Sequence, residues 1–158
     1  MSTDIAQAAG TEVGKHTRQS IQRLEHAIKE LPGALDEQEA LEKLNEHMFA
    51  PGVYCRFMTL PKGMVVVGKI HKHAHICIVT QGVVKIVTEF GEGVHSAPYR
   101  WISEPGVKRT LVALTDFQMV NIMPNPTDTQ DLDEIDKHFI ADSYEELDKF
   151  LGREGLPI

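Results

Sequence analysis

From Val53 to Met123 the chain is a succession of short runs rich in β-branched and aromatic residues, separated by turn residues. The runs are Val53–Leu60, Met64–Ile70, Ile76–Thr80, Val83–Phe90, Arg100–Ile102, Arg109–Leu114 and Phe117–Met123. Between them lie Pro61-Lys62-Gly63, a histidine cluster at 71–75, Gln81-Gly82, Gly91-Glu92-Gly93, Glu104-Pro105-Gly106 and Thr115-Asp116. Short strands at even spacing with Gly and Pro turns predict an antiparallel sandwich or barrel. Val84, Ile86 and Thr88 alternate with Lys85, Val87 and Glu89, the two-residue period of a strand with one partly wet face.

Helical periodicity flanks this region. Ile21, Leu24, Ile28 and Leu31 form one stripe over Thr17–Leu31, and Pro32-Gly33 stops it. A second stretch, Asp36 to about Met48, carries Leu41, Leu44 and Met48 on one side. Both are expected to cover an open face of the domain or a subunit contact. After Met123, Pro124-Asn125-Pro126 and Thr127-Asp128 turn the chain into a short acidic helix, Asp131–Asp136, expected to be a solvated face. Ser143 and Glu146 fit a capping box, with Tyr144, Leu147, Phe150 and Leu151 as the stripe and Gly152 as the stop. The expected organisation is a mobile tail at 1–14, a helical segment at 15–49, a β-barrel at 50–123 and a helical segment at 124–158.

Composition narrows the partners. A chain of 158 residues holds one well-buried core. A net charge of −7 gives no basic face for phosphates and argues against nucleic acid. The longest apolar runs, such as Met64–Val67 and Ile76–Val79, are far too short to span a bilayer, so no membrane partner is expected. The first residues lack the basic-then-apolar pattern of a secretory signal, which points to the cytoplasm. Cys55 and Cys77 sit in apolar β-like runs and read as free core thiols.

The chemistry is concentrated in His71, His73 and His75. Histidine is the commonest protein ligand for transition metals. On one continuous strand all three would share a face, with the outer pair roughly 13 Å apart at Cα. If Lys72–Ala74 turns the chain instead, His71 and His75 face each other as a chelating pair, roughly 5 Å apart between Cβ atoms. The turn suits a metal better, although Lys-His-Ala lacks the usual turn residues.

The order of strand, Gly63, histidine cluster, Gly82, further strands and Pro105-Gly106 resembles the cupin superfamily of small jelly-roll β-barrels. Its first motif is a glycine, His-x-His, three or four residues, a glutamate, six residues and a glycine. Counted back from Gly82, His75 stands at the glutamate, His71 at the second histidine and Lys69 at the first. The second motif, Pro-x-Gly-x-x-His, is approximated by Pro105-Gly106-Val107-Lys108-Arg109, with arginine at the histidine. The resemblance covers roughly 50–123 and implies a small-molecule-binding barrel, a homodimer and a divalent transition metal held by His71 and His75, with His73 as a third ligand. Lys69 and Arg109 at ligand positions disfavour a cation and suit an anionic small molecule. A metal-dependent oxygenase, isomerase or lyase using the same residues, and a non-catalytic scaffold contacting a partner through the acidic helices, are the rival readings. Ala50–Arg56 and Asn125–Asp128 also resemble small cupin-like proteins of tailed bacteriophages, which would place the chain in a host cytoplasm.

Overall fold

The computed structural model describes residues 12–32 and 34–153. The expected tail at 1–14 lies outside these except for its last residues, which open helix α1 (Glu12–Lys29). Helix α2 (Glu37–Leu44) begins with a capping box in which Asp36 Oδ1 accepts from the Glu39 amide and Glu39 Oε2 accepts from the Asp36 amide. The strands are β1 (Asn45–Ala50), β2 (Gly52–Leu60), β3 (Val65–Val67), β4 (Ile70–His71), β5 (His75–Gln81), β6 (Val83–Thr88), β7 (Gly91–Ser96), β8 (Tyr99–Ser103), β9 (Thr110–Ala113) and β10 (Phe117–Asn125). Helix α3 (Leu132–Phe139), strand β11 (Ile140–Ala141) and helix α4 (Tyr144–Phe150) complete the described chain.

Two antiparallel sheets have the orders β1-β2-β10-β5-β8 and β3-β9-β6-β7. With β1, β4 and β11 set aside and the rest renumbered in chain order, these become 1-8-3-6 and 2-7-4-5, the double Greek key of a jelly roll. The chain is therefore mainly β, a cupin-like jelly roll with helices at both flanks. The expected second helix ends at Leu44, four residues early. Asn45–Ala50 alternates half-buried and exposed residues and pairs with β2, so strand burial overrides the helical spacing of Leu41, Leu44 and Met48.

One end of the lumen is apolar. Leu60, Val79, Val84, Leu111, Ala113, Phe117 and Met119 form its buried cluster. A fully buried large apolar side chain is worth about 2 kcal/mol over its exposed state. The attachment of α1 is weaker. Of its expected stripe only Ile21 is buried, whereas Leu24 is 41% exposed and Leu31, just beyond the helix, 60%. The helix is held by ion pairs of Arg18 with Glu89 and of Glu25 with Lys108, and by the Arg18 guanidinium over the Tyr144 ring. Glu89 and Lys108 are themselves buried, so the helix is anchored by charge where its apolar stripe is not covered.

Gly82 joins the two sheets at φ +80°, and a Cβ there would lie 2.0 Å from the Asp116 carbonyl oxygen. Gly52 has φ +75° with open space around it. Gly52→Ala should cost about 1–2 kcal/mol from the left-handed backbone alone. Gly82→Ala should cost clearly more, because the backbone of the 115–116 turn must also move. Equal urea midpoints for the two variants would refute the close approach.

Candidate functional site

Sheet register decides which side chains share a level of the lumen. Across the five-stranded sheet, His47, Arg56, Asn121, Cys77 and Trp101 are consecutive cross-strand neighbours. The next row toward the apolar end is Asn45, Met58, Met119, Val79 and Tyr99. Polar and apolar halves of one lumen are thus adjacent rows, separated by one two-residue step.

The histidine cluster turns. His71 ends β4 and His75 opens β5, with ring centroids 4.4 Å apart and planes tilted by 45°. Lys72–Ala74 makes this turn without glycine or proline because neighbouring elements hold it: the Lys72 amide donates to the Phe139 carbonyl, and Lys72 Nζ donates to the Lys137 carbonyl and pairs with Glu146. His73 does not join the pair. Its ring stacks on His138 and meets the edges of Phe139 and Phe150, which removes the expected third ligand from the group.

His75 Nδ1 lies 3.2 Å from the His73 carbonyl oxygen. A carbonyl only accepts, so the His75 proton sits on Nδ1 and Nε2 carries the lone pair. His71 Nδ1 is buried with no hydrogen-bond partner among the described residues. Burial first, then His75, Arg56 and Arg109, push the His71 ring down to about 3, against a smaller opposing pull from Asp136. Burial is also the main cause that lowers His75. Both imidazoles are therefore neutral at physiological pH.

The cations around them are unequally matched. Arg56 donates to Asp136 Oδ1 at 2.7 Å and to the Tyr54 hydroxyl at 2.9 Å. Lys69 donates to Asp136 Oδ2 at 2.9 Å. One carboxylate from α3 thus bridges two cations of the barrel. Burial raises the Asp136 carboxyl, but Arg56 and Lys69 outweigh it and hold it below the ordinary range. The acidic segment read as a solvated face therefore supplies a residue of the site. Arg109 differs: it donates to Ser103 Oγ at 2.7 Å and to the Val107 carbonyl, lies over the Trp101 ring, and has no carboxylate partner among the described residues. Burial lowers its basicity, with no facing carboxylate to restore it.

These residues do not fit a closed divalent-metal cage. Among the described residues, no group of three or more His, Cys, Asp or Glu side chains is placed to hold an ion. The expected companions of His71 and His75 are Lys69, tied to Asp136, and the cation Arg109. Cys77 is no substitute: burial pushes its thiol up to about 12, and Sγ donates to Asn121 Oδ1 at 3.2 Å. Cys77 is 2% exposed, a core residue as its apolar run predicts, and both cysteines are free thiols. His95 lies in β7 with its ring stacked on Tyr99 at 4.0 Å.

Two stability measurements check these electrostatics. Asp136→Asn leaves Arg56 and Lys69 without their carboxylate and should cost about 2 kcal/mol near neutral pH. Because the folded carboxyl is lowered, that contribution is present above about pH 4 and disappears as pH falls through its folded value. The His71 ring also favours the folded state at high pH. Its contribution is complete above about pH 6.5 and is lost progressively toward pH 3, where the folded ring takes its proton. His71→Gln in EDTA should therefore flatten the acid side of the stability curve, by on the order of 2–3 kcal/mol at pH 4. An unchanged slope between pH 6.5 and 4 would show that the ring is not buried neutral.

No protein-family model matches the chain, and no curated protein matches it. Solved structures do. A cupin 2 domain-containing protein from Halorhodospira halophila has TM-score 0.47 and 12% identity, over 69% of this chain and 75% of that one. KdgF from Halomonas sp. has TM-score 0.46 and 17% identity, over 55% and 79%. An RmlC-like cupin from Shewanella frigidimarina has TM-score 0.45 and 16% identity, over 55% and 77%. The bacteriophage resemblance gains nothing from these neighbours. At such TM-scores and identities they say nothing of a site or an activity, and the jelly-roll assignment rests on this chain's own strand order. No helix among the described residues is long and apolar enough to cross a membrane.

Proposed function

We propose that this protein is a cupin-fold binder of a small anionic molecule that also carries a hydroxyl, held in the polar half of the barrel. The observation that carries the reading is Arg109, a lumen guanidinium that among the described residues hydrogen-bonds to Ser103 and Val107 and faces no carboxylate. A planar guanidinium with free donors suits a carboxylate or phosphate. The lone pair on His75 Nε2 would accept from the ligand's hydroxyl. Lys69, expected to contact the ligand directly, acts here through Asp136.

The metal-dependent alternative, whether a binding protein or an oxygenase, isomerase or lyase, rests on His71 and His75 alone. Its supporting observation is the orphaned His71 Nδ1 beside the His75 ring. A cation there would have Arg56 and Arg109 as neighbours, which is unfavourable. The anionic reading turns the same charges to use.

Calorimetric titration of tag-free protein with gluconate, phosphate and glucose separates the readings. Gluconate should bind and raise the melting temperature, phosphate should do so less, and neutral glucose not at all. Arg109→Ala should weaken gluconate about tenfold or more, since hydrogen bonds to a charged group are worth about 1.5–3 kcal/mol. If Arg109→Ala leaves every anion's affinity unchanged, the proposal is wrong. Near-stoichiometric metal by elemental analysis, lost in both His71→Ala and His75→Ala, would establish the alternative.

A further inference from the structure

A cavity of about 230 Å³ lies between α3 and the loop that follows β10, with Asn125, Thr129, Glu134 and His138 in its wall. It is separate from the lumen site, since neither His71, His75 nor Arg109 lines it. Its rim is fastened on every side. Asp128, at φ +52°, closes the loop and accepts from the Gly52 amide through Oδ1 at 2.6 Å. Asp131 caps α3 by accepting from the Asp133 and Glu134 amides. The Thr129 hydroxyl donates to Glu134 Oε2 at 2.7 Å, and the His138 ring stacks on His73. The helical side chains at the cavity are therefore held in place before anything binds.

The hydrogen-bonding capacity left over is almost all acceptor. Asn125 Nδ2 donates to the Thr129 carbonyl at 2.9 Å. A carbonyl only accepts, so the amide nitrogen is fixed there and Oδ1 is the atom left over. Asn125 is 4% exposed, and its Oδ1 has no donor among the described residues. A buried acceptor without a donor is costly and calls for one. The Thr129 proton goes to Glu134, whose Oε1 also has no donor among the described residues. No lysine or arginine lines the cavity, so nothing in its wall answers the carboxylate charge. Thr127 and His138 can each donate or accept and leave this balance as it is.

We infer that this cavity is a second binding site and that it takes a small organic cation, a primary ammonium on a short alkyl chain. An ammonium carries donors and no acceptor, the complement of Asn125 Oδ1 and Glu134 Oε1. Ile135 and Phe139 supply apolar wall for the chain. A bare calcium ion fits poorly, because it needs about six to eight oxygens around it and would meet that apolar wall. The inference does not rest on the lumen reading: lumen and cavity select opposite charges and share no residue.

Titration of isotope-labelled protein with n-butylammonium chloride, followed through amide chemical shifts, tests it. The Asn125 side-chain amide and the Thr129 and Glu134 backbone amides should shift and saturate, with a dissociation constant on the order of millimolar for so small a ligand. n-Butanol and butyrate at the same concentrations should leave these signals in place. Glu134→Gln keeps an oxygen for Thr129 to donate to but removes the charge. It should weaken n-butylammonium about tenfold or more, with an unchanged circular dichroism spectrum. Arg109→Ala should bind n-butylammonium as the unmodified chain does. No saturable shift at these amides, equal binding of n-butanol, undiminished affinity in Glu134→Gln, or tighter saturation by calcium chloride would each overturn the inference.

Discussion

The Asp136 carboxylate, set between Arg56 and Lys69, is the interaction on which the rest of the site depends. Without it the polar half of the lumen would hold three cationic side chains in a partly desolvated space, and their mutual repulsion would work against closing the barrel. With it, Arg56 and Lys69 share one counter-charge that reduces their sum from +2 to +1, and the third cation, Arg109, keeps its donors for a ligand. The same carboxylate fixes α3 to β2 and to the approach to β4, so electrostatic balance and chain topology are settled by one residue.

Register does the remaining placement. Because side chains alternate strictly along a strand, one set of pairings fixes both faces of the five-stranded sheet. It lines up His47, Arg56, Asn121, Cys77 and Trp101 inside, and Met48, Cys55, Ile122, Ile76 and Ile102 outside. A one-residue slip in β10 would put Ile122 in the lumen and Asn121 on the surface, destroying site and outer face together. The extra residue at Thr80, where the β5–β10 pairing shifts, confines that irregularity to the polar margin.

Much of the fold was legible in the sequence, and the reasons are specific. Strand breaks fall at glycines, and among the described residues six glycines have positive φ, including Gly63, Gly82 and Gly106, each a turn residue in the sequence pattern. The Ser143 cap was legible too, although Glu146 reaches back to the Asp142 amide and not to Ser143. Strand β1 was hidden because Leu41, Leu44 and Met48 repeat at helical steps, and nothing local announces that Asn45 meets Met58. Asp136 was hidden for a related reason. An acidic residue beside three acidic neighbours, Asp131, Asp133 and Glu134, reads as solvated, and its cations lie 67 and 80 positions away in the chain. The departure of His73 from its neighbours depended on His138 and Phe150, which no spacing within the cluster reveals.

The pairing of β11 with β4 has only two residue pairs, Ile140 with His71 and Ala141 with Ile70. The neighbouring β2–β10 ladder has nine. The α3–β11–α4 segment does not rest on that ladder alone: Ile135, Phe139 and Ile140 pack on Tyr54 and Met123, Ala141 and Leu147 pack on Ile70, and Asp136 and Glu146 pair with Arg56, Lys69 and Lys72. Local opening of the segment has to break these clusters as well as the ladder. Any such opening withdraws Asp136 and uncovers His71 together, so amide exchange at Ile140 and Lys72 reports on the state of the site as well as on that of the segment.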